Sequence, residues 1–279
     1  MLTRSDRVPE LPEVETIKET LKRQILNQKI RDVRIYLDKI IQEPSIATFI
    51  KQIKGETILD IKRRGKWLIF NLNNYDLVCH LRMEGKLFVT KKEEPLGKYD
   101  HVVFVFDHME LRYADMRKFG RMYLTTRDKS NQFKPLLNLG LEPFNHKLTP
   151  TYLKTKFKLK KIPIKTALLD QNIIAGIGNI YANEILFLSH IHPLTKVHEL
   201  TDKQLTKIIK NTKTILNEAI RTGGTTIRSY TSAPGVTGGF QSQLKVHNRK
   251  HQKCYKCQTP IQKIKVGGRG TYYCPTCQK

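Results

Sequence analysis

"KWLIFNLNNYDLVCHLRM", residues 66–83, holds two runs of aliphatic, β-branched and aromatic residues, Lys66–Leu72 and Asp76–Met83, with a short polar step between them. Runs of this length and composition read as strands joined by a turn. The same pattern continues outward on both sides. Upstream lie "IRDVRIYLD" (30–38) and "ETILDIK" (56–62); downstream lie "KLFVTK" (86–91), "HVVFVFD" (101–107), "ELRYAD" (110–115) and "RMYLTT" (121–126). Eight strands at this spacing predict a two-sheet antiparallel sandwich that ends near Leu137. One short helix, "SIATFIKQI" (45–53), interrupts the run. Ahead of it Val14, Ile17, Leu21 and Ile25 recur at threes and fours, which predicts an amphipathic helix over Glu13–Asn27 with Pro12 and two acids near its start.

From about Asn138 the period changes. "TPTYLKTKF", "KTALLDQN", "NIYANEILFLSHI" and "TDKQLTKIIKNTKTILNEAIRTGG" all read as helices. In the last, Leu205, Ile208, Ile209, Thr212, Ile215, Leu216 and Ala219 share one face, with Thr201 as N-cap and Gly223 as C-cap. A Gly/Ser/Thr-rich stretch, "GGTTIRSYTSAPGVTGGFQSQ", follows without periodicity. Composition alone leaves two readings open, a mobile loop that closes over a ligand and a plain linker.

The 279 residues carry 50 Lys+Arg against 25 Asp+Glu, a formal net charge of +25. Basic residues spread along the whole chain call for a polyanionic partner, nucleic acid first and an anionic membrane surface second. No apolar run reaches the length of a membrane span, and "MLTRSDRV" is too polar for a secretory signal, so the sequence predicts a cytosolic protein.

Four of the five cysteines fall in the last 26 residues, as Cys254-x2-Cys257, sixteen residues, then Cys274-x2-Cys277. Two close thiolate pairs can close a tetrahedral site, and the spacing predicts one structural zinc ion; a redox CxxC would need a βαβ setting that is absent here. Between the pairs, "IQKIKVGGRGTYY" predicts a hairpin whose tip presents Arg269 among glycines, either to a phosphate or to solvent. Cys79, within a strand, reads as an inert core thiol. "AGIGNIYANE" (175–184) leads through two glycines into a helix start, a geometry suited to an anion; a dinucleotide fingerprint is the rival, but no clear strand precedes it. In "RRGKWLI" and "DMRKFGRM" basic residues flank Trp67 and Phe119. Spacing does not choose between hairpin packing and a wedge that enters a base stack.

The stretch "PELPEVE" (9–15) gathers two prolines and three glutamates. One reading is a helix entry with acids at its positive end. The other is chemical. A terminal secondary amine condenses with an aldehyde-level carbon to an iminium, while neighbouring carboxyl groups move the protons.

Together "PELPEVE", "HLRMEG", "LRYADMRKFG", "IAGIGNIYANEILF" and "GRGTYYCPTCQK" resemble bacterial formamidopyrimidine-DNA glycosylase, in unbroken order from Val8 to Lys279. The resemblance implies an α+β multidomain fold: a β-sandwich with flanking helices over 9–137, a helix–two-turn–helix domain with a lesion-capping loop over 138–242, and a zinc finger built on a β-hairpin ribbon over 243–279. It implies a monomeric base-excision enzyme, a glycosylase and abasic-site lyase, acting on double-stranded DNA with 8-oxoguanine, formamidopyrimidines or abasic sites and cutting by β,δ-elimination. DNA would lie in the cleft between domains. Carried onto matching positions, Pro9 is the nucleophile, Glu10 the proton donor and Glu13 a supporting carboxylate, with Lys66 and Arg269 also counted in the catalytic set. Lys66, His80, Lys165, Asn179 and Arg269 would contact DNA, and Met83, Arg117 and Phe119 would fill the space of the flipped base. The segment from about Thr225 to Phe240 would cover that base.

Two departures stand out. The family begins at the proline once its initiator methionine is removed, whereas here Pro9 follows seven residues and Val8. A Pro9 acylated by Val8 has no basic lone pair, so translation is expected to start at the position of Val8, with residues 1–8 a non-native extension. An unrecognised processing step and an enzyme silenced by its extension are the alternatives. The second departure is "VHNRK", with His247 and Asn248 where the family often has Tyr-Gly. An endonuclease VIII-like glycosylase for oxidised pyrimidines and a non-catalytic lesion-binding protein complete the functional alternatives.

Overall fold

Strand β4 (Trp67–Asn71) is buried at every position and lies between β3 (Asp60–Arg64) and β5 (Tyr75–His80), both antiparallel to it. The computed structural model describes residues 8–127, 129, 132–225 and 238–279. The expected upstream extension, apart from Val8, and residues 226–237 of the expected capping loop lie outside the described residues. Around β4 a five-stranded sheet runs β2-β9-β5-β4-β3, where β2 is Ile41–Glu43 and β9 is Arg121–Thr126. A four-stranded sheet runs β1-β7-β8-β6, built from Asp32–Ile35, Asp100–Val105, Met109–Ala114 and Lys86–Lys91. Leu68, Phe70 and Cys79 from the first sheet share one core with Val102, Phe104 and Leu111 from the second. That core is the sandwich interior.

Helix α1 (Leu11–Ile25) contributes Val14, Ile17, Leu21 and Ile25 to the same core, and α2 (Ile46–Ile53) adds Phe49 and Ile53. The helix starts two residues before the expected Glu13 because Leu11 is itself buried, its amide donating to the Gly176 carbonyl at 3.0 Å. The strand β2 was not anticipated. It pairs parallel with β9, so the larger sheet is not wholly antiparallel.

Residues 12–137 form one compact unit; Leu11 and the described residues before it, with 138–225 and 239–279, form the other. The second is helical. After the single turn α3 (Lys134–Leu137) come α4 (Pro150–Phe157), α5 (Ile164–Leu169), α6 (Asn179–Ser189) and α7 (Asp202–Arg221). Every residue of α6 except Leu188 is buried, so this helix is the axis about which the unit packs. The predicted apolar face of α7 is buried along its whole length. Thr201 caps its start, exchanging bonds with Gln204, and the Gly224 amide closes its end on the Ala219 carbonyl at 2.7 Å.

The finger is a hairpin of β10 (Gln262–Val266) and β11 (Arg269–Tyr273). Gly267 and Gly268 turn it with φ of +54° and +77°, the left-handed pair that a tight two-residue hairpin requires. Phe187 of α6 packs into the finger's own small core with Val246, Cys254, Ile261, Tyr272 and Cys274. Among the described residues no helix is long and apolar enough to cross a membrane.

Candidate active site

The N-terminus of α6 leaves amides without partners in the helix, and Glu10 supplies them. Its Oε2 accepts from the Gly178 amide at 2.8 Å, its Oε1 from Ile180 at 2.8 Å, and Tyr181 adds a longer bond of 3.4 Å. The carboxylate is only 2% exposed. Pro9, the residue before it, is buried as well. Gly178 makes this approach possible, since a Cβ there would overlap the Glu10 carboxyl. The glycines of "AGIGN" therefore receive an anion, as their pattern implied, but the anion is the chain's own. Gln171 braces the turn from behind, accepting from the Gly176 amide at 2.8 Å and donating to the Ile177 carbonyl at 2.8 Å.

Asn179, first residue of α6, donates through Nδ2 to the Gly270 carbonyl at 3.0 Å, which ties the finger hairpin to the Glu10 cap. Its Oδ1 is buried without a partner among the described residues. Arg269 beside Gly270 is exposed. The hairpin tip also rests on α5, where a Cβ at Gly267 would stand 3.0 Å from the Thr166 hydroxyl. Glu10, Asn179 and the Gly270 carbonyl of the finger hairpin thus meet at the start of α6.

Lys165 is different from its expected place at a phosphate. It is wholly buried, and its ammonium donates to the Asn179 carbonyl at 2.9 Å and to Asn183 Oδ1 at 2.5 Å. Burial pulls it down from its usual value to about 7, against the carboxylates Glu10 and Glu184, which act the other way. In this structure it supports the α6 terminus from inside.

The remaining candidates lie in the sandwich unit. Glu13, in the first turn of α1, is 2% exposed. Lys66 follows Gly65, whose φ of +57° turns β3 into β4. Trp67 sits in register with His80 on β5, and the two rings meet edge to face at 4.7 Å. His80 accepts the Arg82 amide at Nδ1, 2.9 Å away. Burial, with Arg82, Lys66 and Arg121 adding like charge, pushes its imidazole down to about 3, so it is a neutral hydrogen-bonding group at physiological pH. Met83 is half-buried three residues further on. Arg117 stacks its guanidinium 4.8 Å from the centre of the Phe119 ring, and that ring is 48% exposed.

Sequence reasoning missed what holds this last pair. Asp115 is buried, and its carboxylate accepts from the amides of Arg117, Phe119 and Gly120 at 2.9, 2.8 and 2.9 Å and from the Tyr113 hydroxyl at 3.0 Å. An aspartate two residues ahead of the Arg was the available signal, because short acidic side chains close such turns onto following amides. Glu184 was missed too. It caps the chain entering the finger, accepting from the amides of Lys245, Val246 and His247 at 2.8, 3.0 and 2.7 Å. Next to it Asn248 takes φ +59°, a left-handed conformation that asparagine tolerates where glycine is usual.

The four finger cysteines place their Sγ atoms within 4.8 Å of one another. Cys257–Cys274 and Cys254–Cys277 stand 3.4 and 4.0 Å apart, too far for disulfides at about 2.05 Å. They match the edges, about 3.8 Å, of a sulfur tetrahedron around zinc. These cysteines fit one structural zinc ion.

Residues 8–122 match the family model for the formamidopyrimidine-DNA glycosylase N-terminal domain, 139–231 that for the formamidopyrimidine-DNA glycosylase H2TH domain, and 252–279 that for a zinc finger found in FPG and IleRS. The chain belongs to the formamidopyrimidine-DNA glycosylase family. It is 45% identical over 273 residues to the formamidopyrimidine-DNA glycosylase of Bacillus cereus, covering 97% of this chain and 99% of that protein. The Shouchella clausii formamidopyrimidine-DNA glycosylase is 47% identical with the same coverage. Lactococcus lactis Fpg in complex with DNA containing an abasic site superposes with a TM-score of 0.91 at 38% identity, over 97% of this chain and 99% of that one.

Proposed function

We propose that this chain is a bifunctional DNA glycosylase of base excision repair that removes oxidised purines, 8-oxoguanine and formamidopyrimidines, through a Schiff base at Pro9 and then cuts the strand by β,δ-elimination. One observation carries the chemistry: the buried Glu10 carboxylate, held by three amides at the start of α6, directly follows the buried Pro9. The secondary amine attacks C1′ of the damaged nucleotide, the glycosidic bond breaks, and the base leaves with the bonding electrons. The amide donors favour the ionised carboxylate, which takes the proton released by the amine and returns it to the sugar ring oxygen as the ring opens. The resulting iminium withdraws electrons from C2′, so a proton is lost there and the 3′ phosphate departs; the 5′ phosphate follows.

The likeness to the Lactococcus lactis complexes with abasic-site and Fapy-dG-type DNA supports a damaged duplex as substrate. The +25 charge supports the partner class. The site of action would be chromosomal DNA in the bacterial cytoplasm. Because an amide nitrogen cannot attack, the active species must carry Pro9 with a free amine.

Borohydride trapping on a duplex with one 8-oxoguanine opposite cytosine tests the reading. A protein beginning at Pro9 should form a covalent adduct that maps to Pro9, and the form with Val8 attached should not. No adduct from either form, or excision of thymine glycol in preference to 8-oxoguanine, would overturn it.

A further inference from the structure

Gln171, just beyond the end of α5, spends its whole side-chain amide on the backbone. Its Nε2 donates to the Leu169 carbonyl at 3.0 Å and to the Ile177 carbonyl at 2.8 Å, and its Oε1 accepts from the Gly176 amide at 2.8 Å. The NH2 group faces two acceptors and the carbonyl oxygen faces a donor, so turning the amide over would set oxygen against oxygen. The main chain of Gln171 is held as well, its carbonyl accepting from the Gly140 amide at 2.8 Å.

The Ile177 carbonyl and the Gly178 N–H are the two ends of one planar peptide group. Gln171 holds the first end, and the second donates to Glu10 Oε2 at 2.8 Å. The bonds form a line from Gln171 Nε2 through that peptide to the carboxylate. A donor on the carbonyl oxygen polarises the peptide and strengthens its N–H, and it also fixes the direction in which that N–H points. Gly176 is held by the same side chain: its N–H donates to Gln171 Oε1, and with φ of +92° its carbonyl accepts the Leu11 amide at 3.0 Å. The turn that Gln171 closes therefore grips Glu10 by its carboxylate and the next residue, Leu11, by its backbone.

We infer that Gln171 is a positioning residue for the excision reaction: it orients the Ile177–Gly178 peptide and so fixes the Glu10 carboxylate in its place after Pro9. This rests on the proposed role of Glu10 as proton carrier. Gln171 acts through the peptide, so its loss slows the chemical step and leaves the grip on DNA intact.

The test is a double-mutant cycle on the zinc-loaded chain beginning at Pro9, read by single-turnover excision from an 8-oxoguanine duplex. Methionine matches the length of glutamine and makes none of its three bonds. Q171M should slow excision roughly ten- to hundredfold, the scale on which a misplacement of about 1 Å acts, while the Kd for abasic-site duplex stays within about threefold of wild type. In E10Q the same change should cost nothing further, because residues that act through one group are not additive. The Gly178 amide proton of free Q171M should move upfield as its peptide loses the bond at the carbonyl, a change that general loosening of the fold would not confine to that proton. Q171E, whose ionised side chain cannot donate to Ile177, completes the same cycle if Q171M does not fold. A rate equal to wild type, a loss carried by Kd alone, or an equal slowing with Glu10 present and in E10Q overturns the positioning role. An E10Q protein that itself excises at the wild-type rate locates the failure in the role of Glu10, and this inference falls with it.

Discussion

Asp115 holds the amide of Phe119 at 2.8 Å while leaving the ring 48% exposed. A large aromatic held out in water has to be supported by its backbone, and here one buried carboxylate takes the turn amides of Arg117, Phe119 and Gly120 and the Tyr113 hydroxyl. Replacing it by alanine leaves those donors unpaired, at a cost of about 1–3 kcal/mol. D115A should lower the melting temperature and weaken binding to abasic-site duplex roughly tenfold, while F119A should weaken binding with little change in melting. Calorimetry and a fluorescence binding titration on the same preparations check the contrast.

Glu10 faces three N–H groups, and a glutamine there would turn its own NH2 toward at least one of them. E10Q should fold, because the side-chain volume is unchanged, and should lose roughly 10²–10⁴ in excision rate as the proton carrier disappears. Single-turnover kinetics on 8-oxoguanine duplex measure it. A rate within threefold of wild type would remove Glu10 from the chemistry.

The finger core is only six residues, two of them Cys254 and Cys274 of the four-cysteine site, too small to hold itself together. Chelation, or C274S, should unfold the residues after about 245 while leaving the sandwich intact. Limited proteolysis should then cut between Lys245 and Lys279, and DNA affinity should fall with loss of the Arg269 hairpin.

His80 gives a pH signature of folding. Its folded value is depressed to about 3 from an ordinary 6.5, so below pH 6.5 the unfolded chain takes a proton that the folded chain does not. Stability from this group is therefore present above pH 6.5 and is lost progressively as pH falls toward 3, at no more than about 1.4 kcal/mol per pH unit and less to the extent that solvent screens it. Urea unfolding at pH 7.5 and 5.0 should show a smaller acid loss for H80Q than for wild type.

Binding to undamaged duplex should weaken as salt rises, with each phosphate contact contributing about 0.9 to the log–log slope. K66A and R269A should each lower that slope by about one. An unchanged slope in either variant would place that residue away from the phosphates.

Local pattern carried much of this molecule. The strands of the sandwich, the buried face of α7 and the four cysteines follow from periodicity and spacing, because each depends on residues near one another in the chain. Strand β2 escaped, since Ile41–Glu43 is three residues long and its partner β9 lies some eighty residues away. The start of α1 was misplaced for a related reason: Leu11 is fixed by Gly176, not by its neighbours. At the site, residue types were legible and their settings were not. "GIGN" announced an anion without saying that it is Glu10. Nothing local distinguishes Lys165, sealed beneath α6, from the many lysines in water, and nothing around His247 reveals its bond to an asparagine 64 positions earlier.

The Glu10 cap also orders events during synthesis. The proline and glutamate leave the ribosome first, yet the amides that hold Glu10 belong to residues 178–181 and the carbonyl that holds Asn179 belongs to Gly270. At about 5–20 residues per second, roughly ten to fifty seconds separate the first of these residues from the last. The Glu10 cap can close only once residues 178–181 have been made, and its tie to the finger hairpin only once Gly270 has followed.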